Sequence, residues 1–96
     1  MKLTVAPAAV ADLARLREFL VGKDPAAADR AIAALIGAIE SLDTFPERGR
    51  LSGKLNMREL IVPFGRSAYV LRYAYSAPNN NEVTVVRIWH GRETRD

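Results

Sequence analysis

Apolar positions recur with one period in the first half of the chain and another in the second, and the change falls near residue 45. Lys2 to Val5 reads as a short extended segment that ends at Ala6-Pro7. Val10, Leu13, Leu16, Phe19 and Leu20 then return at three- and four-residue intervals, the spacing of one helical face. They predict a helix over 8–21, with Asp12, Arg15 and Glu18 on its other faces and Gly22 as its stop. Asp24-Pro25 supplies an N-cap and a proline at the first helical position. A second helix is predicted from there to residue 42, with Ile32, Leu35, Ile36, Ile39 and Leu42 on one face and many alanines that allow close approach. So short a link makes the two helices an antiparallel hairpin.

From Phe45-Pro46 onward the helical period is lost. Residues 46–56 are rich in turn formers and read as a basic connecting loop. Three extended stretches follow: 57–62, stopped by Pro63-Phe64-Gly65; 67–75, rich in aromatic and branched residues; and 83–90, reached through the polar turn Ala77-Pro78-Asn79-Asn80-Asn81. Simple alternation puts Tyr69, Leu71, Tyr73 and Tyr75 on one face of the middle strand, and Val83, Val85, Arg87 and Trp89 on one face of the last. The order strand–helix–helix–strand–strand–strand predicts an α+β domain, a twisted and mainly antiparallel β-sheet with the helical hairpin packed on one face. Because neither face of the last strands is cleanly polar, the uncovered side of the sheet is expected to meet a partner or to lie under loops.

At 96 residues the chain suits one domain, 1–96, and its 49% hydrophobic content excludes a disordered tail. No apolar run approaches a membrane span, and Met1-Lys2-Leu3-Thr4-Val5 lacks the apolar core of a secretory signal. With no cysteine there is neither a disulfide framework nor a thiolate metal site, so cytoplasmic residence is expected. Charge is uneven. Residues 1–44 hold five Lys/Arg against six Asp/Glu, whereas 45–96 hold nine against five, all but one of the nine being arginine. The C-terminal half would attract an anionic partner, or its arginines simply solvate a β-rich surface.

Familiar chemistries fall away in turn. Gly49 and Gly53 do not form a phosphate-binding loop, one histidine without cysteine does not make a zinc site, and no serine sits in a nucleophile-elbow context. Neither metal nor cofactor is expected. What remains is a basic and aromatic set on the C-terminal strands: Arg58, Arg66, Arg72, Arg87, Trp89, His90, Arg92 and Arg95. For Trp89 a core position competes with a stacking role, and for His90 packing competes with acid–base work. Arg58 and the adjacent Glu59 are expected to form a cross-strand ion pair.

Five stretches then bear jointly on identity: Ala11-Asp12-Leu13, Phe45-Pro46-Glu47-Arg48-Gly49-Arg50, Arg58-Glu59-Leu60, Tyr69-Val70-Leu71-Arg72-Tyr73, and Val86-Arg87-Ile88-Trp89-His90-Gly91-Arg92-Glu93. In this order they resemble the RelE/ParE superfamily of toxins from type II toxin–antitoxin pairs, across essentially the whole chain. The messenger-RNA-cutting branch would imply a site of Arg58, Arg72, His90 and Arg92, stabilising phosphate charge and moving a proton. Against it, Val70 stands where such relatives often carry an arginine, and their late tyrosine lies beyond the point where this sequence ends.

The ParE-like branch resembles the chain better. It implies a toxin without a catalytic constellation that poisons DNA gyrase. It also implies neutralisation by a cognate ParD-like antitoxin, whose ribbon-helix-helix part binds promoter DNA and whose disordered acidic C-terminal segment wraps the toxin. Arg58, Arg87, Trp89, His90 and Arg92 are then candidates for target binding, and Leu16, Leu20 and Leu35 for the antitoxin groove, with core burial the competing role of those leucines. A toxin-like fold that keeps only antitoxin binding is the third reading.

Overall fold

A computed structural model describes residues 2–76 and 82–93. Strand β1 (Lys2–Val5) leads into α1 (Pro7–Val21) and α2 (Pro25–Ser41), followed by β2 (Arg50–Leu51), β3 (Met57–Phe64), β4 (Ser67–Ser76) and β5 (Glu82–His90). The five strands form one sheet in the order β1-β5-β4-β3-β2, parallel between β1 and β5 and antiparallel elsewhere. Asp24 caps α2 as expected, its side chain accepting from the amides of Ala26 and Ala27 at 3.1 and 3.2 Å. Among the described residues no helix is long and apolar enough to cross a membrane. The turn expected over 77–81 and Arg95 lie outside the described residues.

Both helices pack on one face of the sheet. The core joins Ala9 and Leu16 of α1, and Ala31, Leu35 and Ile39 of α2, to Leu60, Val62, Tyr69, Leu71, Tyr73, Val83, Val85 and Ile88. Non-polar contact over this layer is the main source of stability for a domain of this size.

Four details depart from the expected layout. Pro63 lies inside β3 and not beyond it: it faces Ala68 across the ladder, and the turn is made at Gly65, whose φ of +58° suits glycine. The basic loop contains the short edge strand β2, paired through Arg50 and Leu51 with Glu59 and Arg58. Along α1 the buried residues are Ala9, Asp12 and Leu16, while Val10 and Phe19 are exposed, as is Ile36 on α2. Three- and four-residue spacing is satisfied by adjacent stripes of a helix, and only the packing partner selects one. Finally, Arg72 faces Arg87 but Tyr73 faces Val85, so β5 carries a bulge with one extra residue. Beyond it the alternation inverts. Ile88 points into the core with Val83 and Val85, and Trp89 moves to the opposite face of the sheet.

The connection after α2 is clamped by Tyr73. Its hydroxyl donates to the Pro46 carbonyl at 2.6 Å and accepts the buried Gly49 amide at 2.9 Å. Arg58 adds bonds to the carbonyls of Glu47 and Gly49, at 3.2 and 2.8 Å. Gly49 permits this closeness, since a Cβ there would sit 2.7 Å from the Tyr73 hydroxyl and 3.0 Å from the Glu59 carbonyl. Burial raises the Tyr73 phenol above its ordinary range, against the lowering effect of its bond to Gly49 and of nearby Arg58 and Arg48, so it remains a protonated donor at neutral pH.

Tyr73→Phe therefore leaves the Gly49 amide without its acceptor and is expected to cost about 1–3 kcal/mol. Urea unfolding should show a lower midpoint with an unchanged slope. Parental stability in that variant would remove the hydroxyl from the clamp.

Candidate functional site

Strand β1 pairs with β5 only as far as Val85. The next edge group of β5, the Ile88 amide, is met by Asp12 of α1, whose Oδ2 accepts it at 2.8 Å. The same carboxylate accepts from Arg87 at 2.8 and 3.2 Å and from Arg15 at 3.2 Å. Arg15 continues the chain of contacts to the Ile88 carbonyl at 3.3 Å and into an ion pair with Glu93. Glu93 in turn accepts the His90 amide at 2.7 Å, and His90 Nδ1 accepts the Arg92 amide at 3.1 Å. In the neutral ring the proton of His90 then sits on Nε2. Burial alone would raise the Asp12 pKa, but the bonds from Arg87, Ile88 and Arg15 outweigh it and hold the carboxyl below its ordinary value.

This network borders a cleft of about 770 Å³ between the second half of α1, the β3–β4 turn and the ends of β4 and β5. Its floor is apolar, built from Leu16, Phe19, Leu20, Phe64 and Tyr69. Tyr69 packs against Phe64 with ring centroids 6.1 Å apart and meets the His90 ring edge-on at 5.5 Å. Arg15, Lys23, Arg66 and Arg92 stand around it, with Glu93 the one carboxylate among the described residues that line it. Phe19 is 62% exposed, an unusual place for a phenylalanine unless something covers it. Lys23 lies 4.9 Å above its ring. The cleft is shaped for an amphipathic helix or extended segment with acidic flanks.

Opposite the helices, the sheet carries a second cluster. Trp89 and Val70 are buried there, and the guanidinium groups of Arg72 and Arg87 lie 4.9 and 5.1 Å from the Trp89 ring. Glu59, also buried, receives Arg72 through Nε and Nη2 at 3.1 and 2.8 Å. The ion pair expected between Arg58 and Glu59 is thus replaced by one between Arg72 and Glu59, because adjacent residues of a strand point to opposite faces.

The sequence-based candidates separate into three places. His90 and Arg92 meet at the cleft. Arg72, Arg87 and Trp89 meet on the far face. Arg58 lies with the clamped loop, opposite Tyr73, whereas His90 lies opposite Tyr69. The four residues Arg58, Arg72, His90 and Arg92 are therefore not gathered at one point. Leu16 and Leu20 do line the cleft, while Leu35 is fully buried in the core. Phe64, Tyr69 and Lys23 escaped sequence reasoning because they come from two strands and the link between the helices. Asp12, expected on a face of α1 away from the apolar one, is instead buried, because the Ile88 amide and two arginines satisfy its carboxylate. Among the described residues no cluster of His, Asp and Glu is arranged to hold a metal ion.

Comparison with known proteins agrees with this architecture. Residues 3–95 match the family model described as the ParE toxin of the type II toxin-antitoxin system parDE. The chain is 46% identical over 84 residues to Toxin RelE1 of Caulobacter vibrioides, covering 88% of this chain and 86% of that one. It is 40% identical over 89 residues to Toxin RelE3 of the same organism, covering 93% and 92%. A solved structure described as the chromosomal ParDE TA system from P. aeruginosa superposes with a TM-score of 0.74 at 20% identity, over 94% of this chain and 95% of that one.

The Asp12 network yields a pH prediction. Its carboxyl binds a proton less tightly folded than unfolded, so its contribution is complete above the unfolded value of about 4 and is lost as pH falls through the lowered folded value. Asp12→Asn should cost about 2 kcal/mol at neutral pH. It should also flatten the loss of stability as pH falls below about 4 in urea titrations. Parallel acid limbs for parent and variant would contradict this.

Proposed function

The chain belongs to the ParE toxin family of type II toxin–antitoxin systems, and from that premise we propose that it poisons DNA gyrase and is held inactive by a cognate antitoxin. The observation that carries the choice of mechanism is the dispersal of its candidate nuclease residues. Arg58 bonds to backbone carbonyls of the clamped loop, Arg72 is bound to Glu59 on the far face, and only His90 and Arg92 share a site. A phosphoryl-transfer site needs its cations and proton carrier around one phosphate. A toxin that acts by binding another enzyme needs surfaces instead.

The antitoxin is proposed to lay an acidic, amphipathic C-terminal segment into the cleft. Apolar side chains of that segment would meet Leu16, Phe19 and Leu20, and its carboxylates would meet Arg15, Lys23, Arg66 and Arg92. Promoter DNA is then contacted through the antitoxin alone. One observation favours a second reading: the relatives named above carry RelE names. On that reading the protein is a ribosome-dependent endoribonuclease.

Supercoiling of relaxed plasmid by purified gyrase and ATP separates the two. Lost supercoiling with accumulation of cleaved DNA, reversed by the antitoxin of the same operon, is the expected result. Full gyrase activity at a large molar excess of folded toxin, with phased messenger-RNA cleavage in cells, would transfer the function to the second reading. For the cleft, Phe19→Ala should weaken antitoxin binding at least about tenfold, as for a buried aromatic anchor, and leave Tm unchanged because Phe19 is exposed in the free chain. Unchanged affinity would move the antitoxin elsewhere.

A further inference from the structure

A second surface lies at the other end of β4, about six residues or roughly 20 Å from the cleft. There the connection after α2 and the β2–β3 hairpin form a projection along the free edge of the sheet, since β2 ends the strand order. Its exposed residues are unusual. Phe45, Leu51 and Leu55 are 63%, 74% and 88% exposed. Over 45–56 the cations Arg48, Arg50 and Lys54 stand against the single carboxylate Glu47. Beside Phe45 and Arg48 is a shallow recess of about 480 Å³, closed on one side by Tyr75.

The projection is also held firmly. Tyr73 and Arg58 pin residues 46–49 from below. The hairpin closes through Ser52 N–H to the Met57 carbonyl at 3.1 Å and Met57 N–H to the Lys54 carbonyl at 3.0 Å, and the Tyr75 amide reaches the Asn56 carbonyl at 3.0 Å. Asn56 adopts φ of +59° and Gly53 φ of +88°, positions that fix the shape of the turn. A loop that only connects two elements needs neither large apolar side chains in water nor this degree of fixation. Apolar anchors on a rigid base are what an interface uses, because little ordering is left to be done on binding.

Resting on the reading of the chain as a toxin with a protein target, we propose that this projection is its target-docking surface, separate from the antitoxin cleft. Leu51, Leu55 and Phe45 enter an apolar recess on the target, and carboxylates bordering that recess meet Arg48 and Arg50. The free edge of β2 lets an extended target segment lie alongside.

The test uses the full chain with Leu51→Ser and Leu55→Ser combined, and separately Arg48→Glu. Antitoxin affinity, inhibition of purified gyrase and growth arrest without antitoxin are measured for each. Both variants are expected to bind antitoxin within about threefold of the parent and to lose at least about tenfold in gyrase inhibition and growth arrest. A photo-crosslinking residue at position 55 should attach to purified gyrase, and one at the helical position Val10 should not. If the parent inhibits gyrase and both variants inhibit it equally, the projection is not the docking surface and the gyrase reading stands. If antitoxin affinity falls in step with toxicity, the surface belongs to the antitoxin and the proposal is overturned. If the parent arrests growth without affecting gyrase while the variants do not arrest growth, the docking surface stands and gyrase is replaced as target. A parent that neither arrests growth nor inhibits gyrase overturns both.

Discussion

The architecture turns on one carboxylate. β1 is four residues long and leaves β5 with an unpaired edge just where α1 crosses it. Asp12 receives the Ile88 amide there and is itself neutralised by Arg87 and Arg15. A buried acid with three donors around it is tolerable, whereas an orphaned backbone amide or an unpaired charge at that place is not. The bond ties α1 to the edge of β5, and the next turns of that helix carry Leu16, Phe19 and Leu20 to the cleft that Tyr69 also lines. Through Arg15 the carboxylate is also linked to Glu93, which folds back onto the His90 amide. Helix position, sheet edge and cleft rim are consequences of the same group.

The bulge in β5 has comparable reach. Without its extra residue Trp89 would point into the core and Ile88 away from it. With it, an indole is placed on the face that no helix covers, and Arg72 and Arg87 cover it instead. Glu59 balances Arg72 from the neighbouring strand. The far face is therefore a stacked and ion-paired layer, and its arginines are bound parts of that layer as well as surface charge. Of the two, Arg72 was a candidate for phosphate chemistry, and its fixation by Glu59 is a physical reason for the proposed reading of the protein as a binder of other proteins.

β4 joins the two surfaces proposed to bind partners. Tyr69 near its start supports the cleft, and Tyr73 and Tyr75 towards its end support the projection after α2. A strand in the middle of a sheet is the stiffest support the fold offers, and both surfaces take their rigidity from it. Both are apolar with cationic surroundings, which suits acidic protein partners engaged at separate places.

Much of this was written in the chain itself. The helical period over Val10–Leu20, the Asp24-Pro25 cap and the branched and aromatic strands are local signals, and local backbone preference suffices to read them. The α+β class and the helical hairpin on a mainly antiparallel sheet followed, because the order of such segments leaves few arrangements, whereas the family was legible only through the resemblance of five short stretches. Which stripe of α1 is buried was not legible, nor the reversal of faces at Trp89, nor that Asp12 and Glu59 are interior. Each depends on a partner distant in sequence: the open edge of β5, an extra residue in the ladder, an arginine on the adjacent strand. The cleft likewise joins α1, the β3–β4 turn and the end of β5, and no periodicity within one segment encodes the distance between three. The sequence determined the elements and their chemistry; tertiary packing decided which side chains face which partner, because desolvation and charge pairing act only once remote groups are in contact.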